Sequence, residues 1–467
     1  MDFFVKRFAF SCLASLLVIS IPVHASSLKK DIDALIAREL PQASVGVLVK
    51  DVDSGKVVYA SNDKKLFTPA SGIKILTAAA SLYGLGSDYR YETALLKEGK
   101  NIYLRFSGDP SLTTVNLNDL IGQLKLNKIN KIKGDFVIDD SRFEPPYYAD
   151  GVNYDDLGRY YAAPSSAIIL NQNKEIFDLV SAKEIGKSVT INTITAAPAV
   201  TLINNLTTVS FAQKRNHCDF NIEIKPDNVM RLYGCVPQYE YTRKLALSVP
   251  DPFAFAKNTI QHALNENGIK LKGRIAKGKT EVNAKLIARH HSAALINIVD
   301  YMLKESDNLY ADSLTKLLGF SLTKQGTYKQ GVFAIKKLIA KNTNMDTDNI
   351  DLYDGHGTRY NLITPEQMVV LLTDIYKSKI MRPLIIDSLP LMGKSGSLAN
   401  RMKNTKLENQ VYAKTGSMHD ISSLSGYFIT KSGKPMAFSI IINGIDKNLS
   451  TAKGLEEKIL SVVSKYN

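Results

Sequence analysis

Three short stretches of the chain carry residue types that together could do nucleophilic chemistry: Ser71-Gly72-Ile73-Lys74, Ser306-Asp307-Asn308 and Lys414-Thr415-Gly416. A serine hydroxyl is a poor nucleophile until an adjacent base takes its proton. Lys74 can be that base only as a neutral amine, so its pKa must fall from about 10.4 toward 7, at a cost of ~4–5 kcal/mol. Burial pushes in that direction, and so does a second cation in the same pocket, here Lys414. Ser306 could then relay a proton to a leaving amine and Asn308 could hold an amide. Lys414 and Thr415 would offer a charge and a hydroxyl to a substrate carboxylate. An oxyanion would sit between the backbone N–H groups of Ser71 and Ser417, a contribution of ~10²–10³ in rate per donor.

Taken singly, these motifs are weak. The Ser-x-x-Lys spacing occurs seven times, starting at Ser26, Ser27, Ser61, Ser71, Ser313, Ser321 and Ser450. Lys394-Ser395-Gly396 and Lys431-Ser432-Gly433 compete with Lys414-Thr415-Gly416, whereas Ser-x-Asn occurs once. Context chooses among them. Ser71 alone opens an apolar helix directly after a Pro-Ala pair, which brings its hydroxyl near helix N–H groups and sets Lys74 one turn on, over the same face. Lys414-Thr415-Gly416 ends a strand that a hairpin can extend, Lys431-Ser432-Gly433 reads as that hairpin's turn, and Lys394-Ser395-Gly396 reads as a surface loop. Ser306-Asp307-Asn308 precedes a helix, where capping is the plain alternative to catalysis. Its place in the ordered triple favours catalysis.

The elements that must position these residues follow from periodicity and turn chemistry. Ser44–Val49 and Lys56–Ala60 read as strands around Asp53-Ser54-Gly55, and Ile73–Leu85 as a helix ended by Gly86. From about Tyr91 to Lys279 the texture becomes short β-rich segments, interrupted by one longer helix near Pro252–Asn267. Helical periodicity returns over 293–303, 309–318, 330–340 and 365–376. Strands at 411–413, 423–430 and 435–443 follow, then a last helix, 454–466, whose Leu455, Ile459, Leu460 and Val463 should pack on the sheet. The pattern is an α/β domain split by a β-rich insertion.

Composition and charge bound the partners. With 45% hydrophobic and 22% charged residues over 467 positions, disorder, collagen-like repeats and a multi-span membrane protein are excluded. At ~100–200 residues per domain the length predicts two to four domains. Lys6 and Arg7, an apolar run from Phe8 to Val23 and then Val23-His24-Ala25 read as a secretory signal peptide over 1–25; the run is short for a spanning anchor. Its removal lowers the net charge by one, from +14 to +13. An exported chain with no run of five basic residues is not expected to bind nucleic acid. Anionic partners remain: a carboxylate-rich wall polymer, or peripheral contact with an anionic membrane. Export also leaves Cys218 and Cys235 where disulfides form. A bridge across the hairpin between them would contribute about 3 kcal/mol in the chain-entropy model. Zinc is the weaker reading, because two cysteines without a second ligand pair make no metal site.

The ordered triple is that of the penicillin-recognising serine enzymes, and the resemblance extends along nearly the whole mature chain. TPASGIKILTAAASLYGLG, SGDPSL, IKGDFVIDDSRF, YYAAPSSAIILNQN, ESDNLYADSL, DGHGTRYNLITP, GSLANRM and AKTGS are similar, in order, to segments of the D-alanyl-D-alanine carboxypeptidases/endopeptidases of the penicillin-binding protein 4 type, peptidase family S13. The resemblance implies a β-lactamase/DD-peptidase-like domain, an antiparallel sheet flanked by helices, built from 26–92 and 288–467. It implies an insertion domain from 93–174 and 250–287, with a β-rich domain, 175–249, nested inside it. It further implies a periplasmic acyl-enzyme hydrolase of peptidoglycan stem peptides, without cofactor or metal. Ser71 would release terminal D-Ala or cut D-Ala-diaminopimelate cross-links, and would be trapped covalently by β-lactam antibiotics. Asp156, Tyr161 and Arg359 would approach the diaminopimelate side; monomer and homodimer both remain open. A β-lactamase and a catalytically silent peptidoglycan-binding scaffold are the alternatives. Three departures from the family pattern bear on substrate preference: His356 in place of a small hydroxyl residue, Asp312 in place of Glu, and Met418-His419 after the Lys-Thr-Gly stretch. His419 at the pocket mouth is expected to add pH sensitivity below ~6.5.

Overall fold

The structure, a computed structural model, describes residues 23–195, 198–215 and 218–466. The expected leader therefore lies outside the described residues as far as position 22.

The centre is an antiparallel sheet of five strands in the order Val411–Met418, Ile421–Ile429, Pro435–Asn443, Ser44–Asp51 and Val57–Ser61. Its middle strands are buried at nearly every position, Ile421–Ile429 including the serines Ser422, Ser423 and Ser425, as strands covered on both faces must be. One face carries helices Val23–Glu39 and Leu449–Tyr466, whose Leu28, Ile32, Leu455 and Ile459 pack with Val47, Phe438 and Ile440. On the other face, Leu48, Tyr427 and Ile441 join a larger core that includes helices Lys74–Leu85, Asn308–Thr323 and Pro365–Lys377. Leu455, Ile459, Leu460 and Val463 are fully buried, so the last helix does pack on the sheet. It begins at Leu449, earlier than expected.

Between the two parts of this layer the chain builds a second five-stranded sheet, Ile275–Lys277, Phe136–Asp139, Asn101–Arg105, Glu92–Glu98 and Lys285–His291. The last of these pairs with Glu92–Glu98 and so runs across the seam expected at 287–288. Helix Pro252–Glu266 is present as expected, but a second helix, Thr114–Leu126, corrects the reading of this region as β-rich with one helix. Leu117, Leu120, Ile121 and Leu124 give it a buried stripe at helical spacing, and Thr113 and Asn116 close a capping box at its start. Helices Val23–Glu39 and Met381–Ser388 were likewise not anticipated. Two small three-stranded sheets follow within 174–248. In one, the hairpin Phe220–Lys225 and Val229–Pro237 pairs in parallel with Thr201–Val209. Cys218 and Cys235 are joined by a disulfide across it, with Cα atoms 5.4 Å apart.

One strand differs from expectation where it matters. It was expected to end near Ala413 but continues to Met418, so Lys414-Thr415-Gly416 lies within the strand. Pairing of Lys414 with Ser425, Thr415 with Leu424 and Gly416 with Ser423 carries it through a glycine that strand propensity alone would reject.

Replacing both Cys218 and Cys235 by Ser should lower stability by about 3 kcal/mol if the closed loop acts through the unfolded chain. Urea midpoints of the two forms measure this. Equal midpoints would show that the ladder hydrogen bonds alone hold the hairpin.

Candidate active site

Ser71 sits on a single 3₁₀ turn, Ala70–Ile73, that runs directly into helix Lys74–Leu85. The turn is pinned from several sides. Thr68 exchanges two hydrogen bonds with the side chain of Asn443, at 2.9 and 3.0 Å. The Pro69 carbonyl accepts from Ser423 Oγ at 2.6 Å. Ala70 is held at φ 46°, a left-handed conformation that costs a non-glycine residue on the order of 1–2 kcal/mol. Two glycines let backbone approach this close. A Cβ on Gly416 would lie 2.4 Å from the Pro69 oxygen, and one on Gly357, itself at φ 107°, would lie 2.1 Å from the Ala70 oxygen.

Lys74, fully buried, places Nζ 2.8 Å from Ser71 Oγ, 2.7 Å from Asn308 Oδ1 and 2.8 Å from the His356 carbonyl oxygen. Asn308 Nδ2 donates to the Tyr161 carbonyl at 2.9 Å, which fixes the amide with its oxygen toward the lysine. Two of the three neighbours of Nζ can therefore only accept. A neutral amine has two N–H groups and one lone pair, so its lone pair falls toward the Ser71 hydroxyl. Burial pushes the Lys74 pKa down to about 8, against the pull of Asp312, Asp307 and Asp354.

Ser306 occupies the joint between helices Leu295–Glu305 and Asn308–Thr323, at φ 59°. Capping of the second helix falls to Asp307, whose carboxylate accepts from the Tyr310 N–H at 3.0 Å. Ser306 and Asn308 are thereby left for other work. Lys414, also fully buried, reaches Ser306 Oγ and the Thr415 carbonyl, each at 2.8 Å. Burial and the neighbouring Lys74 charge push its pKa well below the ordinary value. Thr415 Oγ1 donates to Ser397 Oγ at 2.7 Å. Ser397 follows Lys394-Ser395-Gly396, a stretch that reads from sequence as a surface loop, and no motif singles it out.

Ser71, Ser306, Asn308 and Ser417 open onto a cleft of ≈ 600 Å³. Asp156, Tyr161, Arg359 and His419 line it too. Tyr161 Oη donates to Asp156 at 2.7 Å, and Arg359 stands 3.3 Å from Asp420. Lys74 and Lys414 lie behind this lining, bonded to Ser71 and Ser306, while Thr415 and Gly416 lead along the strand from Lys414 to Ser417 at the cleft.

Behind Lys74 lies a polar cluster that the motifs did not reveal as a unit. His356 Nδ1 is 2.7 Å from Asp312, and Tyr328 Oη donates to the other Asp312 oxygen at 2.8 Å. Asp354 accepts from the backbone N–H groups of His356 and Gly357 and from the side chains of Thr358 and Asn361. Burial works against the imidazolium of His356, but Asp312 and Asp354 overcome it and raise its pKa. The three acidic and imidazole groups come close enough to hold a cation, yet protein donors already occupy them. His356 and Asp312, two departures from the family pattern, are therefore partners in one contact.

Low lysine pKa does not by itself mark the site. Lys316, in the competing Ser313-x-x-Lys316 spacing, is also pushed by burial to about 8. Its Nζ donates to the carbonyls of Glu144 and Pro146 and faces the Tyr328 ring, and Ser313 is fully buried. Of these two Ser-x-x-Lys spacings, Ser71–Lys74 is the one that joins its hydroxyl and amine to an open cleft.

The chain is 29% identical to the D-alanyl-D-alanine carboxypeptidase DacB of Haemophilus influenzae over 422 residues, covering 88% of this chain and 87% of that protein. The crystal structure of penicillin binding protein 4 (dacB) from the same organism superposes with a TM-score of 0.85 at 27% identity, over 93% of this chain and 99% of that one. A second structure of it, complexed with a novel β-lactam, gives 0.80 at 26% identity over 92% and 98%. Residues 28–462 match the D-Ala-D-Ala carboxypeptidase 3 (S13) family, and the chain belongs to that family.

Proposed function

We propose that this protein is a serine DD-peptidase of peptidoglycan stem peptides and that Ser71 is its acylated nucleophile. The observation that carries the proposal is the surroundings of Lys74 Nζ, where two obligate acceptors leave the amine lone pair facing Ser71 Oγ. Ser71 Oγ attacks the carbonyl carbon of the penultimate D-Ala as its proton passes to Lys74 Nζ. The oxyanion forms between the N–H groups of Ser71 and Ser417. When the C–N bond breaks, the leaving nitrogen takes a proton through Ser306, which Lys414 holds in place, and water later releases the acyl group by the same route.

The leaving group is D-Ala in a carboxypeptidase step and the diaminopimelate side-chain amine in an endopeptidase step. Asp156 suits the ammonium and Arg359 the carboxylate of a diaminopimelate side chain, with Tyr161 holding Asp156 in place. Asn308 spends one N–H on the Tyr161 carbonyl and keeps the other for a substrate amide. Thr415 with Ser397 supplies hydroxyls for the terminal carboxylate, whose arrival favours the charged form of Lys414. A β-lactam would be opened by the same attack, as the β-lactam complex of the Haemophilus relative supports. We assign the chain to the periplasm on the leader-like sequence at 1–25, and no described helix is long and apolar enough to cross a membrane. The expected division, a catalytic layer with a doubly nested insertion, stands as our reading of the domains.

Ser71→Ala should reduce D-Ala release from a pentapeptide by a factor on the order of 10⁴–10⁶ and abolish covalent penicillin labelling. Wild-type levels of either in the variant would remove Ser71 from the mechanism. A long-lived penicilloyl adduct on wild type separates a peptidase from a β-lactamase, which would turn the drug over.

Because the neutral amine is the active form, kcat/KM should rise with pH through an apparent pKa of about 8, the value to which burial lowers Lys74. Asp312 and Asp354 raise the pKa of His356, and to the extent that the imidazole is protonated His356→Gln removes a charge that offsets them. Their pull on Lys74 then strengthens, and the acid limb moves to higher pH. A limb that stays in place would show that the imidazole serves packing alone.

A further inference from the structure

The mechanism leaves unused a second cavity, of ≈ 370 Å³, in the nested β-rich region. Its floor is apolar, from Leu179, Cys235 and Val236, and its rim is aromatic and basic. Phe211, 55% exposed, meets Tyr239 edge-on at 5.5 Å. Arg243 lies 4.5 Å over the Tyr239 ring, and Arg159 lies 5.1 Å over Phe220. Lys214 and Lys244 also line it, but each already holds a carboxylate, of Asp219 and Asp178. The two arginines do not. Arg243 donates to the Tyr239 hydroxyl at 2.7 Å and Arg159 to the Phe220 carbonyl at 3.4 Å. Among the described residues neither forms an ion pair. A guanidinium has five N–H donors in a planar fork, so both keep unspent donors at the cavity.

The chemistry this selects is a carboxylate beside an apolar or ring-like surface. Arginine forks take carboxylates in two-pronged fashion, and exposed aromatic faces take sugar rings or aliphatic chain. The cavity is also tied to the catalytic cleft by one short segment. Asp156, Tyr160 and Tyr161 line the cleft, while Arg159, between them, lines this second cavity. The Arg159 backbone is bridged to Leu247 of the nested sheets, and its N–H bonds the Asp156 carbonyl at 2.8 Å.

We infer that this cavity is a second binding site, which holds a carboxylate-bearing glycopeptide segment of the wall polymer while another segment of it lies in the catalytic cleft. The inference rests on the DD-peptidase reading for the identity of the polymer. The site adds affinity for polymer by linking two contacts on one chain and contributes nothing for a substrate too short to reach it.

The test compares wild type with Arg243→Gln and Phe211→Ala, two exposed positions outside the catalytic machinery, and with Arg243→Lys. On a short acyl-D-Ala-D-Ala peptide all four should share one kcat/KM. On isolated peptidoglycan sacculi the Gln and Ala variants should need about ten-fold more substrate for half-maximal rate. The Lys variant should recover only part of this, because it keeps the charge and loses the fork. Binding to sacculi is measured separately in a Ser71→Ala background, so it reads the second site even if the assigned reaction is wrong. Weaker binding in Arg243→Gln supports the site. Equal binding and equal half-saturation in all four proteins would overturn it. So would loss of binding by Arg243→Gln only on phosphatidylglycerol vesicles, which would make the ligand a lipid headgroup.

Discussion

A lysine amine taken wholly out of water must either find a counter-charge or give up its proton. Lys74 is given neither a touching carboxylate nor solvent. Its three neighbours are a serine hydroxyl, an amide oxygen and a backbone carbonyl, which suit a neutral amine and orient it. The rest of the site is arranged to keep that environment. The sheet fixes the turn before Ser71 through Ser423 and Asn443. The helix Asn308–Thr323 supplies Asn308, and the loop built on Asp354 supplies the His356 carbonyl. Three separate stretches of chain thus converge on one nitrogen.

Charge balance explains why those stretches carry the residues they do. Two buried lysines whose charges act on each other, Lys74 and Lys414, cannot both hold a proton cheaply. Asp312 and Asp354 would relieve that repulsion and, unopposed, would restore the charge of Lys74. The imidazole of His356 stands between them and takes up part of their field. The lysine is then left poised near neutrality, within reach of a substrate's arrival. The same burial acts on Lys316, but there two carbonyls and two aromatic rings receive the amine, and the buried Ser313 hydroxyl donates to the Gly108 carbonyl.

Much of this was legible in the sequence because it rests on local signals. The ordered triple, the strand Pro435–Asn443, the Lys431-Ser432-Gly433 turn and the Cys218–Cys235 hairpin each announce themselves within a few residues. What was missed depends on contacts between distant segments. Gly416 sits inside a strand because its neighbour strand pairs through it and because Pro69 leaves no room for a side chain. Ser397 matters only because its loop folds back on Thr415. The helix Thr114–Leu126 did carry a readable signal, a four-residue apolar stripe with a capping box, that the surrounding turn-rich texture obscured. His356 and Asp312 were noticed singly; no sequence rule says that they touch.

Whether burial holds Lys74 ready to act as the base is read by titrating that one amine. Lysine labelled with ¹³C at Cε, with the Lys74 signal assigned by its absence in Lys74→Arg, gives the pKa by NMR without reference to turnover. The expected midpoint is about 8, the value to which burial lowers this group. A Lys74 signal that stays protonated beyond the ordinary lysine pKa of about 10.4 would contradict it.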